Sequence, residues 1–131
     1  MILVLDASAL VAIALREPER PFFNEQIASA EAIFMTSVNV MEVGLAIVLR
    51  QNLFGLNEFA EWIAEFGVVE VPVSGAAALA AYLRFGKGVH RAGLNLGDCF
   101  AYALAKQIDA PLLFKGDDFA LTDVKRALQP T

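Results

Sequence analysis

Four short, mostly apolar runs punctuate the chain: ILVL at 2–5, IFMT at 33–36, VVEVPV at 68–73 and PLLF at 111–114. They are rich in Leu and β-branched residues and bounded by polar or turn-forming positions, the pattern of buried strands. Between them apolar residues recur at helical spacing. Ser8 can cap a helix running to about Leu15. Pro18 and Pro21 punctuate the chain before a second helix to about Ala30, and a third runs from about Val40 to Leu49. Gly55 and Asn57 precede a fourth, whose Phe59, Trp62, Ile63 and Phe66 lie opposite Glu58, Glu61 and Glu65. Residues 75–85 are Ala-rich and helical, 86–97 form a glycine-rich loop, a helix follows from about Gly97 to Ile108, and GDDF opens a final turn. Pro72 puts the third strand at a sheet edge or a strand end.

Strands that alternate with helix-length crossovers and are apolar on both faces predict an α/β fold. Its central parallel sheet is covered on each side, giving three α/β/α layers. No repeat, linker or low-complexity tract divides the chain, so a single domain over 1–131 is expected. Ligands of such sheets bind outside the carboxyl ends of the strands, which directs attention to the residues just after each apolar run.

Composition narrows the chemistry. A chain 57% hydrophobic and 19% charged is not disordered, and one Cys excludes a disulfide framework or a Cys-based zinc site. The apolar start, MILVLDASALVAIAL, contains Asp6, lacks a basic leading segment and is shorter than the ~18 to 20 residues that span a bilayer. No membrane segment and a cytoplasmic location are therefore expected. Net charge is −5, against nucleic-acid binding by bulk charge, but the charge is uneven: residues 1–70 carry −7 and residues 71–131 carry +2. No acid occurs between Glu70 and Asp98, a stretch that holds Arg84, Lys87, His90 and Arg91. It reads either as a solvated loop or as a phosphate-contacting loop beside an acidic site.

The acids fall at the strand ends. Asp6 follows ILVL, Asp117 and Asp118 follow PLLFKG, Glu42 lies early in the helix after IFMTS, and Asp98 opens the helix after the glycine loop. Each has a structural explanation: Asp6 or Ser8 as a helix cap, Asn39-x-x-Glu42 as a capping box, Asp98 as a helix-dipole partner, Asp117 and Asp118 as an Asx-turn. Yet Asp6 and Glu42 sit in strongly apolar sequence, where carboxylates are rare unless paired or metal-bound. Several carboxylates at one sheet edge repel unless protonated or bridged by a cation, and an all-oxygen set suits Mg²⁺ or Mn²⁺. Such a site can drive in-line displacement at phosphorus, and the cation inverts the local charge for an anionic polymer.

The segments VLDASALVAI, SVNVMEVGLAI, KGVHRAGLNLGDCFAYALAK and LLFKGDDFALTD together resemble the PIN-domain ribonucleases, specifically the VapC toxins of type II toxin–antitoxin pairs. The resemblance covers the whole chain. It implies a PIN fold with a central parallel sheet, Mg²⁺- or Mn²⁺-dependent endoribonuclease activity on RNA, inhibition by a cognate VapB-type antitoxin, and a homodimer. Position by position, it implies that Asp6, Glu42 and Asp98 are catalytic and metal-binding acids. The fourth falls in KGDDF, where the family pattern favours Asp118 and the doubling leaves Asp117 as a substitute. Ser8 resembles the small hydroxyl residue after the first acid, which can hold a metal-bound water. Ser8, Lys87, His90 and Arg91 stand as RNA-binding candidates, with Arg84 a further phosphate contact in the same acid-free stretch.

Other features read plainly. His90 is the only histidine, which excludes a two-His metal site, and Cys99 is expected to be a buried, inert thiol. The Trp62, Phe59 and Phe66 stripe reads as core. No GK[ST] follows the glycines at 86, 88, 93 and 97, so they do not form a P-loop. Two rival readings are a metal-dependent phosphatase or phosphoryl-transfer enzyme on a small molecule, with Asp6 as covalent nucleophile, and a catalytically silent binding module. The first typically wants D-x-D after the first strand, and this chain reads Asp6-Ala7-Ser8.

Overall fold

In the computed structural model, which describes residues 1–127, the four apolar runs pair as one all-parallel sheet. β1 (Ile2–Leu5), β2 (Ala32–Thr36), β3 (Val68–Val71) and β4 (Leu112–Leu113) lie in the order β3-β2-β1-β4. The register sets Leu3 beside Ile33, Phe34 beside Val69, and Val4 beside Leu112. Six helices cover the sheet: α1 (Ala7–Ala14), α2 (Arg20–Ser29), α3 (Ser37–Gly44), α4 (Leu56–Glu65), α5 (Gly75–Phe85) and α6 (Leu96–Gln107).

Alternation along β1 makes two cores. Leu3 and Leu5 point to one face, with Phe23 and Ile27 of α2, Val43 of α3, and Phe59 and Ile63 of α4. Val4 points to the other, with Ala78, Ala81 and Phe85 of α5 and Cys99, Tyr102 and Leu104 of α6. Both faces of the central strands are buried, which is why their sequence is apolar throughout rather than alternating. β3 is an edge strand that ends at Val71, one residue before Pro72, and its Glu70 is exposed.

Two helix starts differ from the sequence expectation. The third helix begins at Ser37, not near Val40, because Thr36 accepts the Asn39 N–H and caps it. It then widens into a π-helical turn over Leu45–Arg50, and Asn52 leaves that turn at a left-handed φ of 51°. The first helix is capped by Asp6, not by Ser8.

Strand order decides where a site can form. From β1 the chain moves to β2 and outward to β3, then crosses back to β4 on the other side of β1. Crossovers leave in opposite directions on either side of β1, so the crevice lies at the carboxyl ends of β1 and β4.

Candidate active site

Asp6 stands at that crevice. It leaves a strand whose Leu3, Val4 and Leu5 are fully buried, and it is itself buried. Its backbone remains extended and its Oδ2 accepts the Ser8 N–H at 3.1 Å. Its Oδ1 is buried with no hydrogen-bond partner. Burial holds the Asp6 carboxyl above its ordinary value, against the opposing hydrogen bonds from Ser8 and Ala7. The Ser8 Oγ accepts the Lys115 N–H at 2.9 Å, which ties the start of α1 to the chain leaving β4.

Glu42 reaches the site from α3 through a buried polar network. The Thr36 hydroxyl donates to Asn39 Oδ1 and accepts the Asn39 N–H. Asn39 Nδ2 donates to Glu42 Oε1 at 2.8 Å and to the Gly97 carbonyl at 3.0 Å. Asn39 is therefore not the cap of a box with Glu42; Thr36 caps the helix, and Asn39 faces inward and grips the acid. Gly97 completes the seat, because a Cβ there would overlap the Glu42 carboxylate. Burial raises the Glu42 carboxyl above its ordinary value, and the Asp6 charge adds to this.

Asp98 enters from the first turn of α6. It does form a capping box, with its Oδ2 accepting the Asn95 N–H at 3.0 Å while its own N–H donates to Asn95 Oδ1 at 2.9 Å. The sequence reading offers Asp98 only as a helix-dipole partner; the capping box is an added role that the fold reveals. The Asp98 carboxyl is pushed up to about 7, first by burial, then by the charges of Asp6, Glu42 and Asp118. Of the doubled acids, it is Asp118 whose charge acts on Asp98. Both Asp117 and Asp118 are exposed, on a turn that Gly116 permits by adopting a φ of 106°. The Asp6 charge thus acts on Glu42, and the charges of Asp6, Glu42 and Asp118 act on Asp98. Among the described residues, no group of three or more His, Cys, Asp or Glu side chains is close enough to hold a metal ion together.

The basic loop divides. Arg84 is committed elsewhere: it pairs with Asp123 at 3.3 Å, hydrogen-bonds the Tyr102 hydroxyl and lies over the Phe85 ring. His90 braces the loop, its Nδ1 accepting the Ala92 N–H at 3.0 Å and its ring standing edge-on to Phe85. Lys87 and Arg91 are exposed and carry no ion pair among the described residues. Cys99 is buried, and burial pushes its thiol up to about 11, the mark of an inert group. Trp62 packs against Phe66 and Phe54. Reading by sequence pattern alone passes over Thr36, the inward role of Asn39, and Gly97. The clue to the first is a Thr at the strand end with a polar residue three positions later, the side-chain capping pattern.

The raised carboxyls have a consequence for stability. A carboxyl whose folded value lies above its unfolded one destabilises the fold when ionised, so metal-free protein is expected to gain stability as pH falls through about 7 toward about 5. Partial exposure of Asp98 screens the effect to roughly 1–2 kcal/mol, several degrees in Tm. Melting curves in EDTA at pH 8 and pH 5.5 check this. A Tm that falls on acidification would contradict the burial of these acids and their mutual repulsion.

The sequence matches the PIN domain family over residues 3–125. It is 44% identical over 125 residues to the ribonuclease VapC of Mycolicibacterium smegmatis, covering 93% of this chain and 97% of that one. Its fold superposes on Mycobacterium tuberculosis VapC20, a Sarcin-Ricin loop cleaving toxin, with a TM-score of 0.77 at 12% identity, over 98% of this chain and 99% of that chain. It also superposes on VapBC2 from Rickettsia felis bound to a promoter DNA fragment, with a TM-score of 0.63 at 15% identity and 96% coverage of each. With an all-parallel sheet, acids drawn to the β1–β4 crevice and near full-length relatives, the chain belongs to the PIN domain family and, within it, to the VapC ribonucleases.

Proposed function

We propose that the protein is the toxic component of a type II toxin–antitoxin pair, a divalent-metal-dependent endoribonuclease held in check by a VapB-type antitoxin. The observation that carries this reading is the acid set at the β1–β4 crevice, where Asp6 keeps a buried, unpartnered Oδ1 and Asp98 feels three other carboxylates. The set fits Mg²⁺ or Mn²⁺: every donor is a carboxylate oxygen, and a cation relieves both the repulsion and the orphaned oxygen. Asp6 and Asp98 would hold the ion directly, with Glu42 and Asp118 completing the set directly or through water. When bound, such an ion neutralises charge at the scissile phosphodiester and acidifies water. The chain's own part is positional. Asp6 is fixed by Ser8, Glu42 by Asn39 and Asp98 by Asn95, so the acids are aimed before RNA arrives. Ser8 joins the α1 start to the chain that leads into the Gly116–Asp118 turn.

Lys87 and Arg91 supply the phosphate-steering charge, while His90 shapes the loop that carries them. Replacing Lys87 and Arg91 with Ala is expected to weaken RNA binding and to flatten its log–log salt dependence by ~0.7 per lost contact for single-stranded RNA. An unchanged slope in a binding titration would place the RNA elsewhere.

Two exposed apolar surfaces support the partners. A groove of about 380 Å³ runs between α3 and α4 and includes Met41, Leu49 and Leu56. These three are 65%, 72% and 74% exposed. The apolar face of an antitoxin helix suits such a groove. Leu79, Leu83, Val89 and Leu96 expose a second strip on α5, the glycine loop and α6, suited to a homodimer.

The small-molecule phosphatase reading is not supported. One oxygen of Asp6 is engaged by Ser8, no D-x-D follows β1, and the relatives are ribonucleases. The deciding experiment is RNA cleavage in EDTA and after restoring Mg²⁺ or Mn²⁺. Loss and recovery of cleavage is the expected result; cleavage that persists in EDTA, or never occurs, overturns the reading.

A further inference from the structure

We infer that Asn39 is a positioning residue: its amide locks the Glu42 carboxylate to the start of α6 and so sets the placement of Glu42 relative to Asp98. This rests on the nuclease reading for its consequence, but the lock itself is a matter of geometry.

Asn39 is fully buried, and buried amides need a reason, because an apolar residue of similar size packs without desolvation. Capping does not supply it, since the Asn39 backbone N–H is already satisfied by Thr36 Oγ1. The side chain is occupied in one orientation only. Its two N–H bonds go to two acceptors, Glu42 Oε1 and the Gly97 carbonyl, and its oxygen receives the Thr36 hydroxyl. Flipping the amide would set its oxygen against those two acceptors. Asp would do the same and add a charge beside Glu42. Asn is thus the residue that donates twice and accepts once at this point.

The bond to Gly97 spans 58 positions and joins α3 to α6, one residue before Asp98. Gly97 takes part by lacking a Cβ: the Glu42 carboxylate occupies the space that a Cβ would fill. One amide and one missing methyl therefore hold an acid from α3 against the helix turn that carries the next acid. Groups that orient the ligands of a metal typically affect its affinity about 10–100-fold when removed.

The test uses the full chain, with Mn²⁺ as the probe, followed by the free-ion EPR signal and by RNA cleavage under conditions where circular dichroism shows folded protein. Asn39→Ala is expected to raise the Mn²⁺ half-saturation about 10–100-fold. It should lower kcat with little change in KM for RNA. In a Glu42→Ala background the same change should have much less effect, because the acceptor that Asn39 positions is gone. Equal losses in both backgrounds, or wild-type Mn²⁺ binding in Asn39→Ala, overturn the inference. If Asn39→Ala does not fold, Thr36→Val decides: it leaves the amide but frees its orientation, and a weaker loss in the same direction is expected, whereas no change overturns the inference. A second readout needs neither metal nor RNA. In metal-free protein the Asn39 side-chain protons should exchange slowly, and the mutations should move the Gly97 and Asp98 amide resonances. If those stay in place the lock does not exist; if they move while wild type neither binds Mn²⁺ nor cleaves RNA, the nuclease reading alone fails.

Discussion

Asp98→Asn is expected to abolish RNA cleavage while leaving the metal-free protein as stable as wild type or more so. The two effects have one origin. Asp98 is the acid on which Asp6, Glu42 and Asp118 all act, and its carboxyl is pushed up to about 7. Asn keeps its size and still offers an oxygen to the Asn95 N–H, so the capping box at the start of α6 survives. What disappears is one negative charge. Without it the other acids repel less, and the fold loses a source of strain at neutral pH. In the proposed mechanism the same charge would hold the cation that offsets the charge of the scissile phosphate. A loss of roughly 4 kcal/mol of transition-state stabilisation corresponds to a cleavage rate lower by about a thousandfold. Wild-type melting temperature should rise with Mg²⁺ or Mn²⁺, by ~2.7 kcal/mol of stabilisation at a hundredfold excess over Kd, and the variant's response should be smaller. A role confined to the helix dipole forecasts the opposite: about 0.3–1 kcal/mol of lost stability and intact cleavage. Melting curves with and without metal, run beside a cleavage assay, separate the two, and retained activity in Asp98→Asn would sink the proposed mechanism.

Charging the groove between α3 and α4 should weaken binding of the proposed antitoxin without silencing cleavage. Leu49 and Leu56 are 72% and 74% exposed, so Leu49→Asp with Leu56→Asp removes little core packing. Leu56 opens α4, where an added acid is favoured by the helix dipole. A partner helix that buries both leucines would instead have to bury two carboxylates. Anchors of this kind contribute about 2 kcal/mol or more each, so affinity should fall at least about a hundredfold. Co-expressed with the adjacent gene's product, the double variant should remain toxic, whereas wild type is neutralised. Asp98→Asn should show the converse, harmless alone yet still captured by the partner. Pull-down of the partner by the double variant at wild-type strength would show that the antitoxin docks on another surface.

Much of this molecule is dictated locally. The strand runs are legible because both faces of β1 and β2 are buried, which leaves uniform apolar sequence and needs no knowledge of the neighbours. Asp6 is legible for the same reason: a carboxylate that directly follows a buried strand is conspicuous. Glu42, Asp98 and the KGDDF acids stand out as charges at element starts, and the family resemblance joins them into one set. The remainder depended on contacts between distant segments. Strand order puts the crevice between β1 and β4, and only that order brings the Lys115 N–H onto Ser8, 107 positions away. The same folding gives Asp118 rather than Asp117 an effect on Asp98, a difference of turn geometry that the doubled residues conceal. In sequence Arg84 is equivalent to Lys87 and Arg91; in the fold Asp123 lies beside it and pairs with it. Asn39 looked like a cap because its spacing to Glu42 permits one, but Thr36 caps more directly and leaves the amide free to turn inward. Periodicity and capping act over a few residues, so sequence alone determines the elements and nominates the acids. Which side chains are aimed, paired or withdrawn is decided by hydrogen bonds and charges across the crevice, and those exist only once the sheet has closed.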